Sequence, residues 1–332
     1  MNLATEYLGF ALPHPFMVGA SPMVDDLSMV RRLEDAGAAA IVMRSLYEEQ
    51  LTGEQMATMH FLESPANSFA EAATYLPQPR DFALGPDEYL NQLRKVREAV
   101  SIPVIGSLNG VTPGGWLSCA RLIEEAGAHA VELNLYGLPT DPAEDAWTIE
   151  RQGVELVREV VEKVRIPVAV KLSPFYSAFA NFARQLDAAG ARGLVLFNRF
   201  FQADIDPENL DVQHQLHLSE SSELTLRLRW LAIVSGRVRA SLAVTGGVHD
   251  SLDAVKAVMA GAHAVQMVSA LLRHGPERLR AVREGFARWL EEHEYESVAQ
   301  MRGNMSLLRC PDPRTFERLH YIQTLQSWQD FL

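Results

Sequence analysis

The chain holds only four lysines, and one of them, Lys171, closes the apolar run Val168-Ala169-Val170-Lys171-Leu172. Burying an ammonium without a partner is costly, so a lysine at that point calls for an explanation. Three roles suit it: an ion pair with Glu132, a cation held under a ligand that becomes anionic, or a Schiff-base nucleophile. A second group of residues suits a phosphate. Gly246-Gly247 follows the apolar stretch 242–245, and Ser269 follows Ala264 to Val268. Glycines without Cβ atoms let a ligand approach the backbone, and exposed N–H groups at such turns favour anions. The bland alternative is a tight turn and nothing more.

These residues need a scaffold that brings them together, and the chain supplies one by repetition. One phrase is written four times: AGAAAIVMRS (36–45), AGAHAVELNL (126–135), AGARGLVLFN (189–198) and AGAHAVQMVS (260–269). Each stops a helix at Ala-Gly and enters an apolar strand. A second phrase alternates with it: SIPVIGSLNG (101–110), RIPVAVKLSP (165–174) and RASLAVTGGV (239–248). With FMVGAS (16–21) these make eight strands, with helical patterns between most of them. Strands this apolar belong in a parallel sheet buried on both faces, and eight such units specify a (β/α)8 TIM barrel. No GxGxxG follows a strand, which disfavours a Rossmann fold. The segment EYLGFALPHP is expected to form a hairpin closing the barrel's bottom.

In such a barrel the C-terminal strand ends carry the site. Here they are Ala20-Ser21, Arg44-Ser45, Ser107 and Asn109, Asn134, Lys171, Asn198, Gly246-Gly247 and Ser269. Glu132 shares a face with Asn134, one step deeper. Arg44 could equally pair with Glu48 or Glu49, and the asparagines could cap their own loops. Cys119 falls in a helical pattern and reads as inert core. The long segments 46–99, 136–147 and 199–223 are expected at the same mouth as substrate walls.

The net charge of −12 argues against nucleic acid as a partner. Two cysteines cannot build a disulfide framework or a metal centre unaided, and no metal is expected. Neither a membrane span nor a signal peptide is evident, so a cytoplasmic protein is expected. We divide the chain into a barrel, 1–303, and a helical tail, 304–332. In the tail Phe316, Leu319, Ile322, Leu325 and Trp328 recur at helical spacing, and that face should be buried on the barrel or on another subunit.

With these residues laid out, the chain resembles the dihydroorotate dehydrogenase family, FMN-dependent barrels that oxidise dihydroorotate to orotate in pyrimidine biosynthesis. The likeness is to its soluble branch. It runs from about Leu3 to Gly303 through HPFMVGAS, AAIVMRS, PVIGSLNG, VELNL, PVAVKLSP, LVLFN and VTGGVHDSLDAVKAVMAGAHAVQMVSAL, with HGP behind. The resemblance implies FMN phosphate at Gly246, Gly247, Val268 and Ser269. It implies flavin contacts from Ala20, Ser21, Ser45, Asn134 and Lys171, with Lys171 beside the edge that turns negative on reduction. Arg44, Asn134, Asn198 and Arg199 would orient a small-molecule substrate, and a homodimer is expected.

The departures cluster on the substrate side. Arg44 stands where the family has lysine, and Arg199 where it has a small hydroxyl residue. The ELNLSCPN-type motif reads Glu132-Leu133-Asn134-Leu135-Tyr136-Gly137-Leu138-Pro139, so Gly137 replaces the catalytic base and Pro139 the substrate-binding asparagine. The asparagine loop reads Ala72 to Gln78, and LHLSESSEL replaces a glycine-rich stretch. Tyr136 and Asp141 are the nearest substitutes for the base. Three functional readings remain open: an FMN oxidoreductase acting on dihydroorotate or, more in keeping with the departures, on another small planar or carboxylated molecule; a flavin- or metabolite-binding subunit of a larger complex; and a lysine-dependent aldolase-type barrel.

Overall fold

The computed structural model describes residues 1–48, 86–110, 112–199, 204–213, 216–314 and 318–328. Residues 49–85 of the long loop, the 72–78 stretch and Phe316 therefore lie outside the described residues. Eight parallel strands close a barrel in simple sequential order. They are β1 (Phe16–Val18), β2 (Ile41–Tyr47), β3 (Val104–Asn109), β4 (Ala130–Asn134), β5 (Val168–Leu172), β6 (Gly193–Leu196), β7 (Ser241–Thr245) and β8 (Ala264–Met267). The TIM barrel expected from the repeats is thus the fold.

The repeated Ala-Gly phrase has a single local cause. Gly37, Gly127, Gly190 and Gly261 all take positive φ, at 94°, 91°, 103° and 126°, just past a helix end. Only glycine does this without penalty, so each helix stops there and the chain drops into the next strand. Helix starts are equally local. Asp26, Thr112, Asp145 and Asp250 each accept a backbone N–H from the first turn of the helix that follows.

Alternate residues divide the core. Ile41, Met43, Val131, Val170 and Leu194 face the surrounding helices. Met17, Val42, Ile105, Ala130, Ala169, Val195, Ala243 and Ala264 fill the barrel's lower interior. An antiparallel hairpin, Thr5–Tyr7 with Phe10–Leu12, closes the bottom as anticipated. Its Tyr7, Leu8 and Leu12 plug that inner layer. A second small hairpin, Asp204–Asp206 with Asp211–Gln213, was not foreseen. No helix among the described residues is long and apolar enough to cross a membrane.

The tail ends in a short helix, His320–Gln326. Leu319, Tyr321, Leu325 and Trp328 on and beside it are between 44% and 59% exposed, so in the single chain the barrel does not cover them. Cys119 is fully buried as expected, and burial pushes its thiol up to about 12.

The repeated phrase also repeats a histidine. His129 Nδ1 accepts the Val104 N–H at 2.9 Å, and His263 Nδ1 accepts the Leu242 N–H at 3.1 Å. Each ring satisfies the backbone where the neighbouring strand enters the barrel, and it can do so only while Nδ1 carries no proton. His14 makes a similar bond to the Phe16 N–H at 3.3 Å. Burial is the first cause that lowers all three, taking His14 to about 4 and His263 to about 3. The unfolded chain therefore binds more protons below its histidine pKa near 6.5. The stability is complete above that pH and is lost as the pH falls towards the folded values. Between pH 7 and pH 5 we expect His14 and His263 each to remove about 2 kcal/mol. Urea unfolding across that range measures it, and a flat profile would refute it.

Candidate active site at the barrel mouth

A polar column runs up the barrel axis above the small residues of the inner layer. Glu132 (β4) is fully buried, and its Oε2 accepts from Gln266 Nε2 (β8) at 2.6 Å. Lys171 (β5) lies above it, with Nζ 3.5 Å from Glu132 Oε1 and a side chain 12% exposed to the mouth. The ion pair anticipated for Lys171 therefore exists. It is longer than the 2.7–2.9 Å or so of a tight charge-assisted bond. Tyr7 lies beneath, its hydroxyl pushed far up by burial and then by the Glu132 charge, so it stays neutral. Lys171 thus points a partly compensated cation at whatever fills the mouth.

The end of β2 explains how two consecutive residues reach that mouth. The register with β3 shifts between Val42 and Ser45. A bulge at this point breaks strict alternation, so Arg44 and Ser45 both turn inward while Leu46 returns to the outer core. Ser45 Oγ meets Ser107 Oγ at 2.8 Å. Tyr89 locks that strand end, accepting the Ser107 N–H and donating to the Ser107 carbonyl, both at 3.1 Å. Arg44 Nε pairs with Asp25 at 3.2 Å rather than with Glu48, one of the two glutamates weighed for it, the other, Glu49, lying outside the described residues. Glu48 instead turns to the helix Pro113–Glu125, where its carboxylate accepts from the Thr112 N–H and hydroxyl. A side chain at Gly115 would collide with that carboxylate. Burial raises Asp25, and the Arg44 charge opposes this.

Across the barrel, Asn198 donates through Nδ2 to Asn134 Oδ1 in a very short contact. The Asn198 N–H donates to the Leu172 carbonyl at 2.8 Å, which fixes the start of its loop beside β5. Arg199, next in sequence, pairs with Glu223 at 3.4 Å. Arg44 and Arg199 thus sit on opposite sides of the ring, at the ends of β2 and β6. Tyr136 is half-buried, whereas Asp141 is exposed. Gly137 has no described heavy atom within 4 Å of the place a Cβ would occupy, so its lack of a side chain is not forced by packing.

Gly246-Gly247 and Ser269 stand side by side at the ends of β7 and β8, a two-strand cradle of backbone and hydroxyl groups. Gly246 and Gly247 have φ of 80° and 81°. A Cβ on Gly247 would come within 2.6 Å of the Leu224 nitrogen, and one on Gly246 within 2.8 Å of Arg227. Gly19 is equally tight against Val268 and Gln266. Ser21 Oγ is buried with no hydrogen bond among the described residues, and Ala20 is only half-buried beside it. Ser269 opens the short helix Ser269–His274, with Val268 as its cap.

One residue of the cradle was missed in the sequence. Ser219 is buried between the two strand ends. Its Oγ accepts the Gly247 N–H at 3.2 Å and donates to Ser269 Oγ, 2.9 Å away. Its own N–H also donates to Ser269 Oγ, at 3.1 Å. Arg227, missed as well, bonds the Thr245 and Glu223 carbonyls and so ties the cradle to the Arg199 partner. LHLSESSEL signalled only a lost glycine-rich loop, because a serine in a polar run carries no mark of burial.

A parallel barrel with a glycine pair and a serine at the ends of its last two strands and a lysine at the end of the fifth belongs to the class of barrels in which those two strand ends frequently form a phosphate site. The profile of the dihydroorotate dehydrogenase family matches residues 2–290, and the chain belongs to that family. A relative from Aeropyrum pernix, provisionally named dihydroorotate dehydrogenase A (fumarate), is 34% identical over 65% of this chain and 72% of its own. The catalytic subunit of dihydroorotate dehydrogenase B (NAD(+)) from Thermoplasma volcanium is 26% identical over 91% of this chain and 98% of its own. That from Methanothermobacter thermautotrophicus is 27% identical over 91% and 97%. The similarity is therefore spread over nearly the whole barrel at low identity.

Proposed function

We propose that the chain is an FMN-dependent oxidoreductase acting on a small planar or carboxylated substrate other than dihydroorotate. The observation that carries this is the pairing, at one mouth, of the Gly246-Gly247 cradle with the partly compensated Lys171 ammonium. This chain's own groups support that cofactor. The Gly247 N–H, the Ser219 hydroxyl and the Ser269 hydroxyl stand in one hydrogen-bonded chain at the ends of β7 and β8, and turned outward they would be donors to a phosphate. The buried, unsatisfied Ser21 Oγ suits a polar edge of the ring system. Bound FMN would supply two-electron, hydride-type chemistry. Gly246, Gly247, Ser219, Val268 and Ser269 would hold its phosphate, and Ala20, Ser21, Ser45, Asn134 and Lys171 its ring.

On the substrate side, Arg44 and Arg199 offer planar, bidentate donors suited to a carboxylate, each aimed by its own acidic partner. The Asn134–Asn198 pair adds amide donors and acceptors between them. Gly137 brings no side-chain proton acceptor, and Tyr136, half-buried and adjacent in sequence, is the group that would serve. Family membership supports this reading over an aldolase-type barrel with Lys171 as nucleophile. The same reading places the protein in the cytoplasm as a homodimer. The exposed apolar residues around His320–Gln326 favour a second possibility, assembly with a partner subunit.

The decisive test is an absorption spectrum of freshly purified protein, before and after incubation with FMN. Flavin bands retained through gel filtration are expected. A protein that stays colourless after that incubation overturns the cofactor assignment.

A further inference from the structure

We infer that Glu132 is a positioning residue: held under Lys171 by Gln266, it sets how much of the lysine's charge reaches the barrel mouth, and so how strongly the protein favours a reduced over an oxidised cofactor. This rests on the FMN reading above and goes beyond it, because Glu132 touches neither substrate nor cofactor in that scheme.

Three observations lead here. Glu132 is fully buried in the barrel, where an uncompensated carboxylate would be costly, so its placement is not incidental. Its two oxygens are treated unequally. Oε2 is anchored by Gln266 at 2.6 Å, whereas Oε1 faces Lys171 at 3.5 Å with no hydrogen bond. Gln266 therefore holds the carboxylate back from the lysine, leaving the ammonium's donors directed to the mouth. Thirdly, among the described residues the lower interior offers Glu132 no other cation, since Met17, Ala130, Ala169 and Ala264 fill it and Tyr7 stays neutral. Among the described residues the charge of Glu132 is thus balanced by Lys171 alone, at a separation fixed by β4, β5 and β8.

A reduced flavin is more negative than an oxidised one, so it gains more from an uncompensated Lys171. Removing the carboxylate charge should strengthen that preference. Glu132→Gln is nearly isosteric and keeps an oxygen for Gln266 Nε2. Its bound FMN should have a more positive midpoint potential than the wild type, measured by anaerobic dye equilibration. We expect the ratio of oxidised to reduced FMN dissociation constants to rise about tenfold, equivalent to about 30 mV for a two-electron couple.

Gln266→Met tests the same idea without touching the charge. It frees the carboxylate to close on Lys171, and the potential should move the opposite way. It also serves if Glu132→Gln fails to fold. Unshifted potential in a folded, FMN-loaded variant overturns the inference and leaves the cofactor assignment standing. A wild-type protein that takes up no FMN fails both.

Discussion

Lys171→Met is expected to destabilise the protein by about 3–5 kcal/mol, the usual cost of stranding one partner of a buried ion pair. Methionine matches the lysine stem in length and fits the strand, so packing is not what is lost. What is lost is the only cation among the described residues within reach of Glu132, a carboxylate that is fully buried and among those residues keeps just one hydrogen bond, from Gln266. Urea unfolding at pH 7.5 measures the change. The double variant Lys171→Met with Glu132→Gln should recover most of it, because it removes both charges together, and such replacement of a whole pair is often close to neutral. A single-variant loss below about 1 kcal/mol would mean the pair is solvated enough to be unimportant. The functional readout is separate: FMN bound to the variant should be harder to reduce, since the cation that favours its negative form is gone.

The second large effect concerns dihydroorotate. On the reading that Gly137 stands where the family carries its general base, proton abstraction should be slower by about 10²–10⁴-fold. In an anaerobic stopped-flow experiment, dihydroorotate should therefore bleach the flavin at least about 100-fold more slowly than it does with a relative that carries the base. The site is otherwise furnished, because Asn134, Asn198, Lys171 and two arginines stand around the mouth. The absence of a side chain at Gly137 is not imposed by crowding, since a Cβ there meets no described atom within 4 Å. Gly137→Cys should accordingly fold as well as the wild type. If wild-type bleaching is prompt, a group such as Tyr136 already acts as the base and dihydroorotate becomes the substrate. If bleaching is slow, the search moves to other small carboxylated molecules that suit Arg44 and Arg199.

The barrel could be read from the sequence because its causes are local. Positive-φ glycines stop the helices, aspartates and a threonine start them, and apolar runs of strand length demand burial on both faces. The positions of Lys171, Asn134, Asn198, Gly246, Gly247 and Ser269 followed, since a strand end in a closed barrel faces the mouth whatever its neighbours are. The side-chain partners did not follow. Gln266 and Glu132 are 134 residues apart, and Ser219 and Ser269 are 50 apart; only closure of the ring brings them within hydrogen-bonding distance. Arg44 had nearby glutamates to choose from in sequence. It took Asp25, because the β2 bulge turned it inward while Glu48 went to the neighbouring helix. Periodicity and turn chemistry are properties of a few consecutive residues, so the sequence alone determined the barrel and which residues stand at its mouth. Register, bulges and ring order are properties of the whole, so only the tertiary structure decided that, of the roles open to Lys171, it pairs with the carboxylate beneath it, and that Ser219 links Gly247 to Ser269.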